Sequence, residues 1–352
     1  MRILAWPAKR NFSRNPYQTF LYNSIERTNR VQVDEFTISN LFLAPKYQIF
    51  HIHWPDVFIA NSNSLIAPLK IIFLRFLFTY FKVFKTKVVW TAHNLKRGRQ
   101  NNDLLINRYF WPWFIQKLDG VIYLTENSRE ESFCYFPELK EKLNIVVPHG
   151  HYRPLLMNRT IREEIQSVRQ QKNCQTILFF GSIVEYKNPA SLVKAFSRLK
   201  NPNIRLKILG KVSSINPDEN LTDELEKLPI EKRKNIVFED RFLEEKELIQ
   251  EVMRADIVVL PFKKVFNSGS AIFSLSFGTP VLVSDVPAFR ELEKIVEPGW
   301  VYLFKSSLKA GDICKVLDET STIKSENKYP ELRSMDWGII GKKTVEFYQT
   351  VS

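Results

Sequence analysis

The chain has 352 residues, of which 44% are hydrophobic and 25% charged, enough apolar surface to offset the entropy of ordering; this excludes a disordered polymer and sets a prior of about two domains. Lysines and arginines number 51 against 38 acids, a net charge of +13. Residues 1–155 hold 21 basic and 11 acidic side chains, a surplus of +10, while the remainder hold 30 and 27, or +3, so an acidic partner is expected for the first half.

Three widely spaced cysteines, Cys134, Cys174 and Cys314, form no CxxC or Cys/His pattern, so neither a disulfide framework nor a structural zinc is expected and a reducing compartment fits. The opening MRILAWPAKR reads as a first strand, too short in its apolar run for a signal peptide. Apolar runs that predict strands fall at 3–6, 31–36, 47–53, 87–92, 120–124 and 143–147, and helical patterns at 17–26, 62–84, 104–117 and 128–135. This alternation implies a parallel sheet covered by helices. The stretch 65–84, LIAPLKIIFLRFLFTYFKVF, is apolar but broken by Lys70, Arg75 and Lys82. It suits a helix lying in the interface of an anionic membrane rather than crossing it; the plainer alternative is a core helix with a basic edge.

A polar linker is expected over 156–174. The alternation then resumes with strands at 176–180, 204–209, 236–238, 257–261, 280–283 and 300–303 and helices at 190–199, 244–253 and 270–277, followed by an amphipathic closing helix within 336–352. The expected fold class is therefore α/β: two Rossmann-like doubly wound domains facing a cleft, one over 1–155 and one over 175–335. Ligands in such sheets sit beyond the carboxyl ends of the strands.

In the second half Gly181 ends a strand, Lys187 stands six residues on at a helix start, and Asn267, Ser268, Gly269 and Ser270 precede an apolar helix. Small residues and a glycine at a helix N-terminus expose N–H groups to an anion, although plain capping uses the same geometry. The order G-x(5)-K-N, then ADIVVLPF, then SGSAIFSLSFGTPVLVSD resembles the donor domain of GT-B glycosyltransferases. HWPD, T-x-HN and YKNP narrow the resemblance to the β-mannosyltransferases of bacterial exopolysaccharide assembly. It implies that Gly181, Lys187 and Asn267–Ser270 hold a donor diphosphate and that Asp240, Arg241 and Phe242 lie near the nucleoside. Val265 and Phe273 stand where retaining members carry two glutamates, and Ser182 where an arginine often follows the first glycine. The resemblance thus favours an inverting enzyme.

All five histidines fall between 51 and 151, each expected at or just after a strand end. Strand-end imidazoles suit proton transfer and sugar recognition better than a metal, since no i, i+4 pair and few acidic co-ligands accompany them. Inversion needs a base for the acceptor hydroxyl; Asp56 is placed first and His93 second. A turn cap and a simple hydrogen-bonding role are their respective alternatives. Asn15, Tyr17, Lys96, Arg97 and Arg99 are expected at the acceptor, the three cations at a lipid diphosphate, and His149, Gly150 and His151 at the hinge beside the donor. No DxD motif occurs, so no metal or other cofactor is expected.

The function expected is transfer of mannose from GDP-mannose to a lipid-linked or polysaccharide acceptor by a cytoplasmic protein peripheral to the inner face of the plasma membrane. The alternatives are a retaining GT-B enzyme using a UDP-sugar and a non-catalytic protein that binds a nucleotide sugar or glycolipid. Nucleic acid is not an expected partner, because no zinc finger, RNP-like motif or helix-turn-helix accompanies the charge.

Overall fold

The computed structural model describes residues 1–12, 15–28, 31–42, 46–60, 62–95, 102–157, 174–214, 216–326 and 328–352. It divides into two compact units: Met1–Gly150 with Ser334–Ser352, and His151–Arg333.

In the first unit six parallel strands form a sheet: β1 (Arg2–Trp6), β2 (Gln32–Glu35), β3 (Ile49–Ile52), β4 (Lys87–Ala92), β5 (Gly120–Tyr123) and β6 (Leu143–Val146). Their spatial order is β2-β1-β3-β4-β5-β6, so the winding reverses between β1 and β3. β3 and β5 are buried throughout, which is why neither reads as a polar–apolar alternation.

The closing helix Trp337–Val351 packs within this unit against the helix Tyr17–Glu26 and the sheet. The two backbones approach closely at Gly341, where a Cβ would stand 2.5 Å from Ser24 Oγ. The unit is thus completed by residues that follow the whole second unit in sequence.

The apolar-basic stretch forms the helix Ile66–Val83. Ala67, Ile71, Leu74, Leu77, Phe78 and Phe81, at spacings of three and four, face the core. The opposite face leaves Leu69, Ile72, Phe76 and Val83 exposed beside the cationic residues Lys70, Arg75 and Lys82, and Phe42 is exposed as well. Tyr80, of the same helix, donates its hydroxyl to the carbonyl of Leu41 at 3.1 Å. Among the described residues no helix is long and apolar enough to cross a membrane. The helical pattern at 104–117 resolves into Asp103–Leu105, a π-helical turn Ile106–Phe110, and Trp111–Gln116.

The second unit holds β7 (Gln175–Phe180), β8 (Ile204–Leu209), β9 (Ile236–Glu239), β10 (Ile257–Leu260), β11 (Val281–Ser284) and β12 (Val301–Phe304). All pair in parallel in the order β12-β11-β10-β7-β8-β9. That is the doubly wound nucleotide-binding order, with its reversal between β7 and β10. The helices Glu219–Glu226, Pro287–Ile295 and Ala310–Glu319 escaped the sequence pattern.

Candidate active site

The anion elements named from sequence flank the reversal of the second sheet. Gly181 follows β7 at φ +101°, a conformation that favours glycine. A Cβ built there would lie 3.1 Å from Lys187 Nζ and 3.8 Å from Ser270 Oγ, so the lysine, the glycine and the helix start converge. Gly210, after β8, is equally constrained, since its Cβ would fall 2.0 Å from the Gly181 carbonyl oxygen.

Lys187 is delivered by the short turn Glu185–Lys187, and Asn188 takes the left-handed conformation before Pro189 opens the next helix. Burial lowers the Lys187 ammonium to about 8, and its partly apolar surroundings include the Phe262 ring at 5.5 Å. Ser268 caps the helix Gly269–Ser276 by accepting from Ala271 N–H at 3.2 Å. Its positive end therefore points where Gly181 and Lys187 already converge. Asn267 is half-buried beside this cap.

Tyr152 belongs to the same place: a Cβ at Gly269 would meet its hydroxyl at 3.5 Å, and its backbone N–H donates to Ser276 Oγ at 2.8 Å. Where retaining relatives carry glutamates, Val265 and Phe273 are buried, and Phe273 packs against Tyr152, Phe180 and Phe277. At the end of the edge strand β9, Arg241 is engaged by Glu239 and Glu247, and Phe242 is exposed.

In the first unit the histidines take an unexpected form. His51 lies inside β3, not at its end, because strand pairing runs through it to Ile52. His51 and His53 are completely buried, so neither is an accessible acid or base. Burial lowers His51 to about 3 and His53 well below the usual imidazole range, the latter helped by the neighbouring His51 and His93. His53 immediately follows β3 and His93 follows β4.

These groups form one hydrogen-bonded chain. Tyr348 Oη and Tyr22 Oη both contact His51 Nδ1, at 2.6 and 2.9 Å, and His51 Nε2 meets Thr91 Oγ1 at 2.7 Å. Tyr22 Oη also contacts His53 Nε2 at 2.6 Å, and His53 Nδ1 meets His93 Nε2 at 2.9 Å. Burial holds both tyrosines protonated. His93, the outermost member, stacks on Trp54 at 4.5 Å and meets the edge of Tyr17 at 5.2 Å.

With neutral imidazoles the chain admits two proton orders. In one, both phenols donate to His51 Nδ1, His53 Nε2–H donates to Tyr22, and His93 Nε2–H donates to His53, leaving His93 Nδ1 as a lone-pair nitrogen. In the other every proton is reversed and His93 carries its hydrogen on Nδ1. The first leaves the Thr91 hydroxyl proton without an acceptor, the second that of Tyr348.

The other predicted positions divide. Asp56 is buried in the first turn of the helix Pro55–Ala60. Tyr17 is buried beneath His53, His93 and His149 rather than presented to a ligand, and the Asn15 side-chain oxygen accepts from Tyr17 N–H at 3.1 Å. His149 is buried, lowered to about 4 by desolvation, with Nδ1 against the Gly150 carbonyl at 2.8 Å. Gly150 lies against Trp337, whose ring would stand 2.4 Å from a Cβ there. His151 opens the second unit. Lys96, Arg97 and Arg99, and most of the expected linker, lie outside the described residues. Sequence reasoning passed over Tyr22 and Tyr348, whose partners lie up to 297 positions away. Trp54, inside HWPD, and Thr91, inside T-x-HN, carried local signals. Among the described residues no group of three or more His, Cys, Asp or Glu side chains could hold a metal ion.

Residues 160–326 match the family model described as Glycosyl transferases group 1. The chain is 26% identical over 344 residues, 97% of its length and 89% of the relative's, to a GDP-mannose:glycolipid 4-beta-D-mannosyltransferase of Xanthomonas campestris. The chain thus carries a glycosyltransferase domain over residues 160–326. It also shares 26% identity over 239 residues, 65% of its length and 59% of the relative's, with the uncharacterized glycosyltransferase MJ1607 of Methanocaldococcus jannaschii. Among solved structures, Anabaena Alr3699/HepE in complex with UDP superposes with a TM-score of 0.62 at 12% identity, covering 99% of each chain. An alpha,alpha-trehalose-phosphate synthase from Burkholderia xenovorans does so at 0.61 and 9%, covering 99% of this glycosyltransferase and 100% of that chain. At these identities the structures speak for the fold.

Proposed function

We propose that this glycosyltransferase moves mannose from GDP-mannose to a lipid-linked saccharide, with inversion, without a metal, and with His93 as the general base. The observation that carries the reading is the convergence of Gly181, Lys187 and the Ser268-capped helix start at the reversal of the second sheet, where a diphosphate is most readily bound. The donor and acceptor are taken from the Xanthomonas relative, whose name specifies both.

The acceptor oxygen attacks the anomeric carbon opposite the diphosphate and forms the new glycosidic bond. The old anomeric C–O bond breaks with its electron pair going to the β-phosphate. The charge developing there is met by Lys187 and by the N–H groups of the Gly269–Ser276 helix start, the work a metal does elsewhere. The acceptor proton goes to His93 Nδ1. Of the two proton orders, the one that leaves this nitrogen unprotonated is favoured because a phenol is a stronger donor than the Thr91 alcohol and a poorer acceptor. Asp56 remains the second candidate. Val265 and Phe273, both apolar and buried, support inversion, since no carboxylate stands at either position.

The exposed apolar face of the helix Ile66–Val83, with its cations, suits an anionic membrane surface on which a lipid-linked acceptor would be met. The decisive experiment is transfer from GDP-mannose to a lipid-linked saccharide with and without EDTA, the product anomer being read by NMR. Dependence on a divalent ion, an α product, or turnover with UDP-sugars only would each contradict the corresponding part of the reading.

A further inference from the structure

The first sheet has its own reversal, between β1 and β3. Open α/β sheets bind ligands beyond the carboxyl ends of the strands at such a point. A pocket of about 410 Å³ opens at this place, within the range of about 300–1,000 Å³ usual for small-molecule sites. Trp6 and Arg10 line it from the β1 side, Trp54 and Phe58 from the β3 side, and Lys70 from the helix Ile66–Val83.

Its walls are held in place. Trp6 stacks on Phe36 at 4.7 Å and meets Phe58 edge-on at 5.0 Å. The loop bearing Arg10 is tied down by Glu35, whose carboxylate accepts from the backbone N–H groups of Ala8, Lys9 and Arg10 at 3.1, 2.8 and 3.1 Å. Lys70 Nζ donates to the Phe58 carbonyl at 2.7 Å and sits 4.3 Å from that ring, which leaves further N–H donors on the ammonium.

Two indoles and two cations, with no carboxylate in the lining, match one chemistry. Indole faces take the C–H face of a sugar ring, and paired cations take a phosphate. Trp54 is shared with His93, so a ring resting in the pocket lies one indole away from the base.

We propose that this pocket is the acceptor site and that it recognises a sugar ring joined to phosphate, the ring against Trp6 and Trp54 and the phosphate at Arg10 and Lys70. The proposal rests on the transferase reading above. Lys70 stands in the helix that exposes Leu69, Ile72 and Phe76, so a phosphate held there leaves an attached lipid beside that apolar face. The source of the phosphate is therefore a lipid diphosphate.

The test is calorimetric titration of the full chain with citronellyl diphosphoglucose, glucose 1-phosphate and methyl glucoside, with GDP-mannose titrated in parallel. The expected order of affinity is that order of probes. Arg10→Gln and Lys70→Gln each weaken the two phosphorylated probes about tenfold, leaving methyl glucoside and GDP-mannose unchanged. Val57→Phe, which fills the pocket, weakens all three probes and spares GDP-mannose. Intact GDP-mannose binding with probes indifferent to all three changes overturns the pocket while leaving the transferase reading standing. Loss of GDP-mannose binding in the unaltered protein overturns the transferase reading itself. Equal affinity for glucose 1-phosphate and the lipid diphosphate supports the sugar-phosphate site and overturns the lipid as its source.

Discussion

Tyr348→Phe tests the buried chain at its far end. The substitution removes one hydroxyl 2.6 Å from His51 Nδ1 and leaves the ring packing of the closing helix in place. In the native chain each proton order wastes one hydroxyl hydrogen, that of Thr91 or that of Tyr348. Without Tyr348 only the order that bares His93 Nδ1 still wastes one. The reversed order, with Thr91 donating to His51 and the hydrogen of His93 on Nδ1, then gives every hydroxyl of the chain an acceptor. The change in balance is about one net hydrogen bond, roughly 1–1.5 kcal/mol, or about tenfold in the tautomer ratio. ¹⁵N NMR of histidine-labelled protein reads the tautomer directly, with His93→Gln assigning the resonance. The native protein is expected to show a hydrogen on His93 Nε2, and Tyr348→Phe to move it to Nδ1. Turnover should fall about threefold, as the active tautomer goes from the major to the minor form, while GDP-mannose affinity holds, because Lys187 and Ser268 lie in the other unit. A His93 resonance that is the same in both proteins refutes the ordering, whatever happens to the rate.

Lys187 makes donor binding pH-dependent. Its free ammonium titrates near 8, a bound diphosphate raises it, and binding therefore takes up a proton; affinity for GDP should be level below pH 7.5 and about tenfold weaker at pH 9, and Lys187→Gln should be weak and level throughout. Calorimetry in two buffers of different ionisation enthalpy checks this, and a level native profile to pH 9 counts against the site. The neutral histidines make the first unit acid-sensitive. Their folded values lie below the unfolded 6.5, so stability falls as pH drops beneath 6.5, until about 4 for His149 and about 3 for His51. Each costs about 2 kcal/mol by pH 5, and circular dichroism should show denaturant midpoints falling steeply between pH 6.5 and 4.5. Gly341→Val forces a side chain into Ser24 and should cost about 1–3 kcal/mol in denaturant unfolding, with Tyr348 losing its place against His51.

The sequence alone established two doubly wound α/β domains, because fully buried parallel strands must be apolar runs and the helices between them must carry a stripe. It also named Gly181, Lys187 and Ser268–Ser270, which the structure brings together, since what marks them is backbone conformation and a helix start, both local properties of the chain. The transferase class was legible for the same reason. Strand order, and with it the two reversals, was decided only by tertiary structure: nothing in the run of β1 or β3 says which neighbour it pairs with. The first-unit site depended on that pairing. It joins His51 and His53 to Thr91 and His93 on the adjacent strand, and a closing helix almost three hundred residues away supplies Tyr348. Five histidines in one stretch read as a row of strand-end groups. Burial turned two of them into the neutral interior of a relay, because an imidazole inside a sheet is cheaper to keep uncharged and hydrogen-bonded than to ionise.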